Sequence, residues 1–425
     1  MRNRLARWPT FLLAICLWLA APAIAEDIEG VQPAALDQPR INLIMRRQAG
    51  GPVLMVAGQA GFNVEAFLDT GASGIMLSPH TAQQLGIARE TVSAPGGKGG
   101  EVRFEDVGVG GGDQFAVSEP LLLSLASYSP STNTDDTDAI AGTYTLNVGP
   151  FRAQIGPLGG GGDLLTALAM ADLDVAGMPV MRDKIVVLNV KPVNTFSDTI
   201  RTTIYDPATA PAGIATCKRH VKLGYASFAR FTTTSPASAQ PPSMAENPFI
   251  GPNPLAAAND RTPPMQAAHH GKTIAGSWLL DTGAAASMIS RANAASLGVT
   301  YVEGTFGTDH PKLAGVPADQ QFTLTVGGVG GSKKAAGFFL DELRLSTTEG
   351  QPLVFKRAPV LVSDITVQDR ATGKSLTLDG VFGMNFLTAS CMVDESALLP
   401  DMKNMTAGAF EKIVIDQRAG VLGLQ

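Results

Sequence analysis

Residues 69–87 read DTGASGIMLSPHTAQQLGI, and residues 281–299 read DTGAAASMISRANAASLGV. The two align without a gap, with nine identities in nineteen positions. Each follows a short apolar run, VEAFL (64–68) before the first and GSWLL (276–280) before the second. The likeness resumes downstream, where VAGMPVM (175–181) matches VFGMNFL (381–387). Asp69 lies 108 residues before Gly177, and Asp281 lies 102 before Gly383. Each copy then closes on strand-like residues, 184–190 in the first and 412–415 with 421–424 in the second. Self-similarity over this span means a tandem duplication. The units expected are a first lobe at 41–190 and a second at 216–425, with a Pro-rich linker at 191–215. Residues 191–265 hold 11 of the 28 prolines. Residues 220–231 are expected to open the second lobe as a strand, and 232–262 to form an inserted surface loop, since a structureless stretch that long is foreign to a compact interior.

The remaining composition agrees with a β-rich chain. Of 425 residues only 16% are charged and 45% are hydrophobic, with 46 glycines. Low charge with many turn residues argues against coiled coils and charged bundles. The net charge of -6, with no basic stripe, argues against nucleic acid as a partner. Helices should be few and short, at 79–85, 163–171 and 291–297.

Residues 1–25 read as a secretory signal, with Arg2, Arg4 and Arg7 ahead of an apolar run at 11–21 and a small-x-small site at Ala23-Ile24-Ala25. No later stretch is long and apolar enough to span a bilayer, so an exported monomer, secreted or periplasmic, is expected. The tail at 26–40 is short and acidic. Cys217 and Cys391 then remain; a long-range disulfide and two separate thiols are both open. No cofactor and no metal are expected, and the pair His269-His270 is expected to be solvated. Asp135, Asp136 and Asp138 read as a solvated acidic loop.

The two D-T-G loops carry the chemistry. A carboxylate at the tip of an apolar strand sits on a rigid element. Gly71 and Gly283 let the backbone turn beneath it. Thr70 and Thr282 supply hydroxyls that can brace the loops. If the lobes face each other about a pseudo-twofold axis, Asp69 and Asp281 meet and share one proton, because two such close carboxylates resist ionising together. The ionised member can then take a proton from water while the protonated member hydrogen-bonds a carbonyl.

On DTGAS at Asp69, DTGAA at Asp281, VAGMPVM, VFGMNFL and the closing IVIDQRAGVLGL, the chain resembles the pepsin/retropepsin-like aspartic protease superfamily over about residues 41–425. The resemblance implies an all-β, bilobal fold of two related barrel lobes, a catalytic Asp from each, interlocked threonines, and a peptide or protein substrate bound in the cleft under a β-hairpin flap. Ala72 and Ala284 follow the D-T-G triplets where pepsin-like enzymes place Ser or Thr. Losing that hydroxyl should raise the dyad's titration and move the optimum to milder pH. The flap is expected at APGGKGGE (94–101), through Gly96, Gly97, Lys98, Gly99 and Gly100, with no clear counterpart in the second lobe. The glycine runs at 108–112, 159–162 and 327–331 lack a phosphate-loop pattern and are expected to be hairpin turns. A pepsin-type prosegment is longer and basic, unlike 26–40. Two alternatives stay open at this level: a catalytically silent peptide-binding or structural protein on the same fold, and lobes that pair with another chain.

Overall fold

The computed structural model describes residues 25–55, 63–92, 99–109, 111–127, 144–158, 173–195, 197–226, 228–229, 246–250, 265–369, 375–394 and 399–425. Strands dominate. The signal segment, the acidic loop at 135–138, the glycine run at 159–162 and the helix expected at 163–171 lie outside the described residues.

Two sheets make the lobes. The first has nine strands, ordered Leu146–Phe151, Leu121–Ala126, Arg40–Arg46, Val64–Leu68, Val175–Ala176, Ile75–Leu77, Gln154–Ile155, Gly111–Val117 and Arg103–Gly108. The second has fifteen and combines the second lobe with a sheet that joins the two. In the joining sheet, Ile185–Asn189 from the end of the first unit lies between Arg201–Tyr205 and the C-terminal strand Lys412–Asp416. Lys412–Asp416 then pairs with Val421–Leu424, which pairs with Arg219–Ala226. Four of the five residues of Ile185–Asn189 are buried, as a strand covered on both faces requires. One apolar cluster accordingly runs from Ile41, Leu43 and Leu68 through Val186 and Leu188 to Ile413, Ile415 and Leu422.

The duplicated stretch has the same local structure in both lobes. Val64–Leu68 and Trp278–Leu280 lead into the D-T-G loops. Ile75–Leu77 and Met288–Ile289 lead out. Six-residue helices follow, Pro79–Gln84 and Arg291–Ser296. Ser78 and Ser290 cap them, accepting from the backbone N–H of Thr81 at 3.0 Å and of Asn293 at 3.2 Å. The later matched elements wedge between the strands flanking each loop. Val175–Ala176 runs parallel to Phe67-Leu68 and antiparallel to Ile75-Met76. Gly380–Phe382 does the same between Trp278–Leu280 and Met288–Ile289.

Three segments differ from the sequence reading. The stretch at 232–262 is not all surface loop: Asn247–Ile250 is a fully buried strand between Arg219–Ala226 and Trp278–Leu280. Pro248 hid it, since proline argues against a central strand. Pro248 faces Tyr225 only, and pairing to the other neighbour begins at Phe249, opposite Leu279. The linker at 191–215 contains the strand Arg201–Tyr205. The tail at 26–40 is built into the second lobe, with Glu26–Ile28 parallel to Leu353-Val354-Phe355 and Ala34–Ala35 antiparallel to Ser390-Cys391. Cys391 sits in that pairing and Cys217 lies against Gly423; both are thiols, so the disulfide is not formed.

Phe249 is fully buried against Leu279, Met288 and Val381 in one apolar cluster. Phe249→Ala is expected to destabilise the protein by about 3–5 kcal/mol in urea unfolding. A loss below about 1 kcal/mol would show that this strand does not belong to the core.

Candidate active site

The parallel wedge elements fix where the two aspartates sit. The Asp69 N–H donates to the Ala176 carbonyl at 3.1 Å, and the Asp281 N–H to the Phe382 carbonyl at 3.1 Å. Met178 and Met384 return the bond, their N–H groups donating to Ala72 and Ala284 at 2.8 and 2.9 Å. Each loop is thus pinned at its start and its end. The matched glycines are needed there: a Cβ on Gly383 would lie 2.8 Å from the Ala284 oxygen, and one on Gly177 would strike the Gly74 oxygen.

The loops then lock to each other through their threonines, both buried. The Thr70 hydroxyl donates to the Leu280 carbonyl at 2.7 Å and accepts from the Thr282 N–H at 3.1 Å. The Thr282 hydroxyl donates to the Leu68 carbonyl at 2.5 Å and accepts from the Thr70 N–H at 3.1 Å. All four bonds cross between lobes, and both hydroxyls are used in both directions.

This lock presses each aspartate against the other loop. A Cβ placed on Gly71 would lie 2.6 Å from Cγ of Asp281, and one on Gly283 would lie 2.5 Å from Oδ2 of Asp69. Only glycine lets the carboxylates approach this closely. Asp69 Oδ1 accepts from the N–H groups of Gly71 at 2.6 Å and Ala72 at 3.2 Å. Oδ1 of Asp281 is sealed from solvent and has no hydrogen-bond partner among the described residues. Burial, then the neighbouring Asp69 carboxylate, push the Asp281 carboxyl well above its ordinary range; the N–H groups of Gly283 and Ala284 pull more weakly the other way.

The surroundings break the twofold symmetry. Asn247, on the strand missed in the sequence, donates from Nδ2 to the Thr70 carbonyl at 2.8 Å and accepts from the Ser73 hydroxyl. In the second lobe, Ser287 donates to Oδ1 of Asn385 at 2.7 Å and accepts from the Gly383 N–H at 2.8 Å. Gln38 of the N-terminal tail donates to the Gly283 carbonyl, and the Ala35 N–H donates to Ala285 at 2.8 Å. No motif marks Asn247 or Gln38, because each works through a fold-dependent contact with a backbone oxygen.

Gly96, Gly97 and Lys98 lie outside the described residues. At the base of that hairpin, Gly100–Glu101 pairs with Thr91–Val92. The second lobe does have a hairpin at the corresponding place, Thr300–Tyr301 with Leu313–Ala314. The glycine runs at 108–112 and 327–331 are hairpin turns as expected, and they also meet. Arg103–Gly108 and Gly111–Val117 form one hairpin, and Gln321–Gly328 and Gly331–Leu345 the other. A Cβ on Gly108 would lie 2.7 Å from Cβ of Val329, and Gly330 abuts the backbone of Gly111. The tips exchange side chains. Val329 packs with the first lobe's cluster of Met76, Phe104 and Phe115, which Ala72 adjoins. Val109 packs with the second lobe's cluster of Leu324, Leu361 and Ala286, which Ala284 adjoins. A repeated signal was present: GVGGG follows the first D-T-G and GGVGG the second.

No family model matches the chain, and no curated protein matches it. Among solved structures, the chain is similar to the aspartic proteinase from Irpex lacteus at 11% identity and a TM-score of 0.38, over 92% of this chain and 95% of that one. It is similar to EDGP at 10% identity and a TM-score of 0.38, over 92% of this chain and 96% of that one.

A carboxyl whose titration is raised by folding contributes stability below the ordinary carboxylate range, and this is lost as pH rises through the raised value. Asp281→Asn removes that loss. Its stability relative to the unsubstituted protein is therefore expected to grow as pH rises from about 4 to 8, measured by urea midpoints at each pH. A constant difference across the range would refute the raised titration.

Proposed function

We propose that the chain is an aspartic endopeptidase that hydrolyses peptide bonds with a water activated between Asp69 and Asp281. The observation that carries this reading is the reciprocal packing of each carboxylate on the other loop's glycine, with Asp281 held towards its protonated form. Asp69, whose Oδ1 already accepts two backbone N–H bonds, is suited to be the ionised member. It takes a proton from the water as the oxygen attacks the scissile carbonyl carbon. Protonated Asp281 donates to the carbonyl oxygen, which gives a neutral tetrahedral diol. The amine then leaves with a proton returned by the dyad, and the carbonyl reforms. No acyl-enzyme is needed. The rigid threonine lock keeps both oxygens where charge develops, so little reorganisation is spent at the transition state.

The flap role in this proposal passes to the two meeting hairpins. Their tips adjoin clusters that reach Ala72 and Ala284, the residues following each D-T-G. Closed, they would keep bulk water from the dyad and offer backbone N–H groups to an extended peptide. Export rests on the secretory pattern at residues 1–25, and no helix among the described residues is long and apolar enough to cross a membrane.

Cleavage of a peptide library should be abolished by Asp69→Asn and by Asp281→Asn. The rate maximum should lie on the mildly acidic side, above about pH 3. Absence of both cleavage and binding of a statine-type inhibitor by the unsubstituted protein would leave a silent peptide-binding scaffold. Full activity in Asp69→Asn would refute the dyad. Val109→Asp and Val329→Asp place a charge in the apolar seat opposite each tip. Either is expected to lower kcat/KM at least about tenfold and, because a charge then meets an apolar cluster, to lower the unfolding midpoint as well; unchanged kinetics in both would remove the hairpins from the mechanism.

A further inference from the structure

The residue pair His269-His270 is not a solvated loop. His269 ends the strand Met265–His269, and its side chain is buried at 2% exposure. His270 and Gly271, at φ values of 47° and 74°, form the tight turn into Lys272–Gly276. On its other side Met265–His269 pairs with Gly331–Leu345, with Ala268 opposite Glu342. That register sets Asp341 beside His269. The three side chains converge: a ring nitrogen from each histidine and a carboxylate oxygen of Asp341 all lie within 4.8 Å of one another. The histidine rings stack at 4.1 Å with 16° between their planes, so their edges lie side by side. His269 also meets Phe338 in a T-shaped contact, 4.9 Å between ring centroids.

Among the described residues neither ring nitrogen of His269 has a hydrogen-bond partner, although both are shut away from solvent. Oδ1 of Asp341 is 3.7 Å from Nδ1, too far for a hydrogen bond. Oδ2 of Asp341 accepts from the His270 N–H at 2.7 Å, which holds the carboxylate over the turn. A buried imidazole with both nitrogens unused is uncommon, and one that shares a 4.8 Å cluster with a carboxylate and a second imidazole has a metal ligand's surroundings.

We propose that His269, His270 and Asp341 bind a divalent transition ion of the zinc class. Two imidazole nitrogens and one carboxylate oxygen are the donor set such ions take, with a further position left to water. Ligands around zinc lie about 3.4 Å apart, so donors up to 4.8 Å apart must draw in by as much as about 1.4 Å. His270 and Asp341 are exposed and can make that movement, while His269 stays fixed in the core. The ion would tie the hairpin at 265–276 to Gly331–Leu345, the strand whose other end follows the Val329 tip. It lies apart from the dyad and supplies no step of the peptide hydrolysis.

The test is titration of zinc chloride into the mature chain by calorimetry, with cobalt(II) absorption as a second readout. One saturable equivalent is expected, with a visible cobalt band of low coordination number. His270→Ala and Asp341→Asn, both at exposed positions, are expected to weaken zinc at least about tenfold while peptide cleavage without added metal is unchanged. His269→Phe, which fills the slot against Phe338, should abolish binding with the fold retained by circular dichroism. No saturable uptake, or uptake equal in the unsubstituted protein and the first two variants, overturns the proposal.

Discussion

Everything near the dyad depends on two threonine hydroxyls that each donate to a carbonyl and accept from an N–H of the opposite lobe. These bonds are buried, so losing one exposes nothing to water that could replace it, and the unmet backbone group carries the full desolvation cost. The lock also sets a distance. It brings the loops so close that the glycine after each threonine becomes obligatory and the carboxylates cannot avoid each other. Burial and the neighbouring Asp69, which raise Asp281, therefore follow from a lock made by the very next residue, Thr282.

Symmetry accounts for much of the architecture, and its failures show where the halves have specialised. Both lobes use the same strand, loop, strand and capped helix. Yet the first loop leans on Asn247 from the second lobe, while the second leans on Gln38 from the N-terminal tail. Each loop is buttressed by a segment from outside its own repeat. The hairpin tips follow the same rule, since Val109 and Val329 each pack with the other lobe's cluster. Two lobes that exchange supports in this way are one cooperative object.

The duplicated D-T-G frame made the two-lobed β architecture and the pairing of Asp69 with Asp281 legible before any coordinates. That legibility has a physical reason: a close approach of backbones restricts residue choice to Gly, Thr and Asp at fixed spacing, and such restriction survives as pattern. Asn247–Ile250 was hidden because a proline that pairs on one side only looks the same in sequence as one that breaks a strand. His269 was misplaced because its burial comes from strand pairing with residues more than seventy positions away, beyond any local signal. The meeting of the glycine hairpins was written in two similar runs, but a glycine run alone does not say what it touches.

The N-terminal tail has a consequence for the order of events in folding. Gln32 bonds Ser390, 358 residues later, and Ala34 pairs with Cys391. Residues 26–35 are synthesised long before their strand partners at 353–355 and 390–391. This segment must therefore wait for those partners while the first lobe assembles. Contacts of such long sequence separation form late and slowly. This late stitch is thus made by an early segment, and it closes beside the loop that carries Asp281.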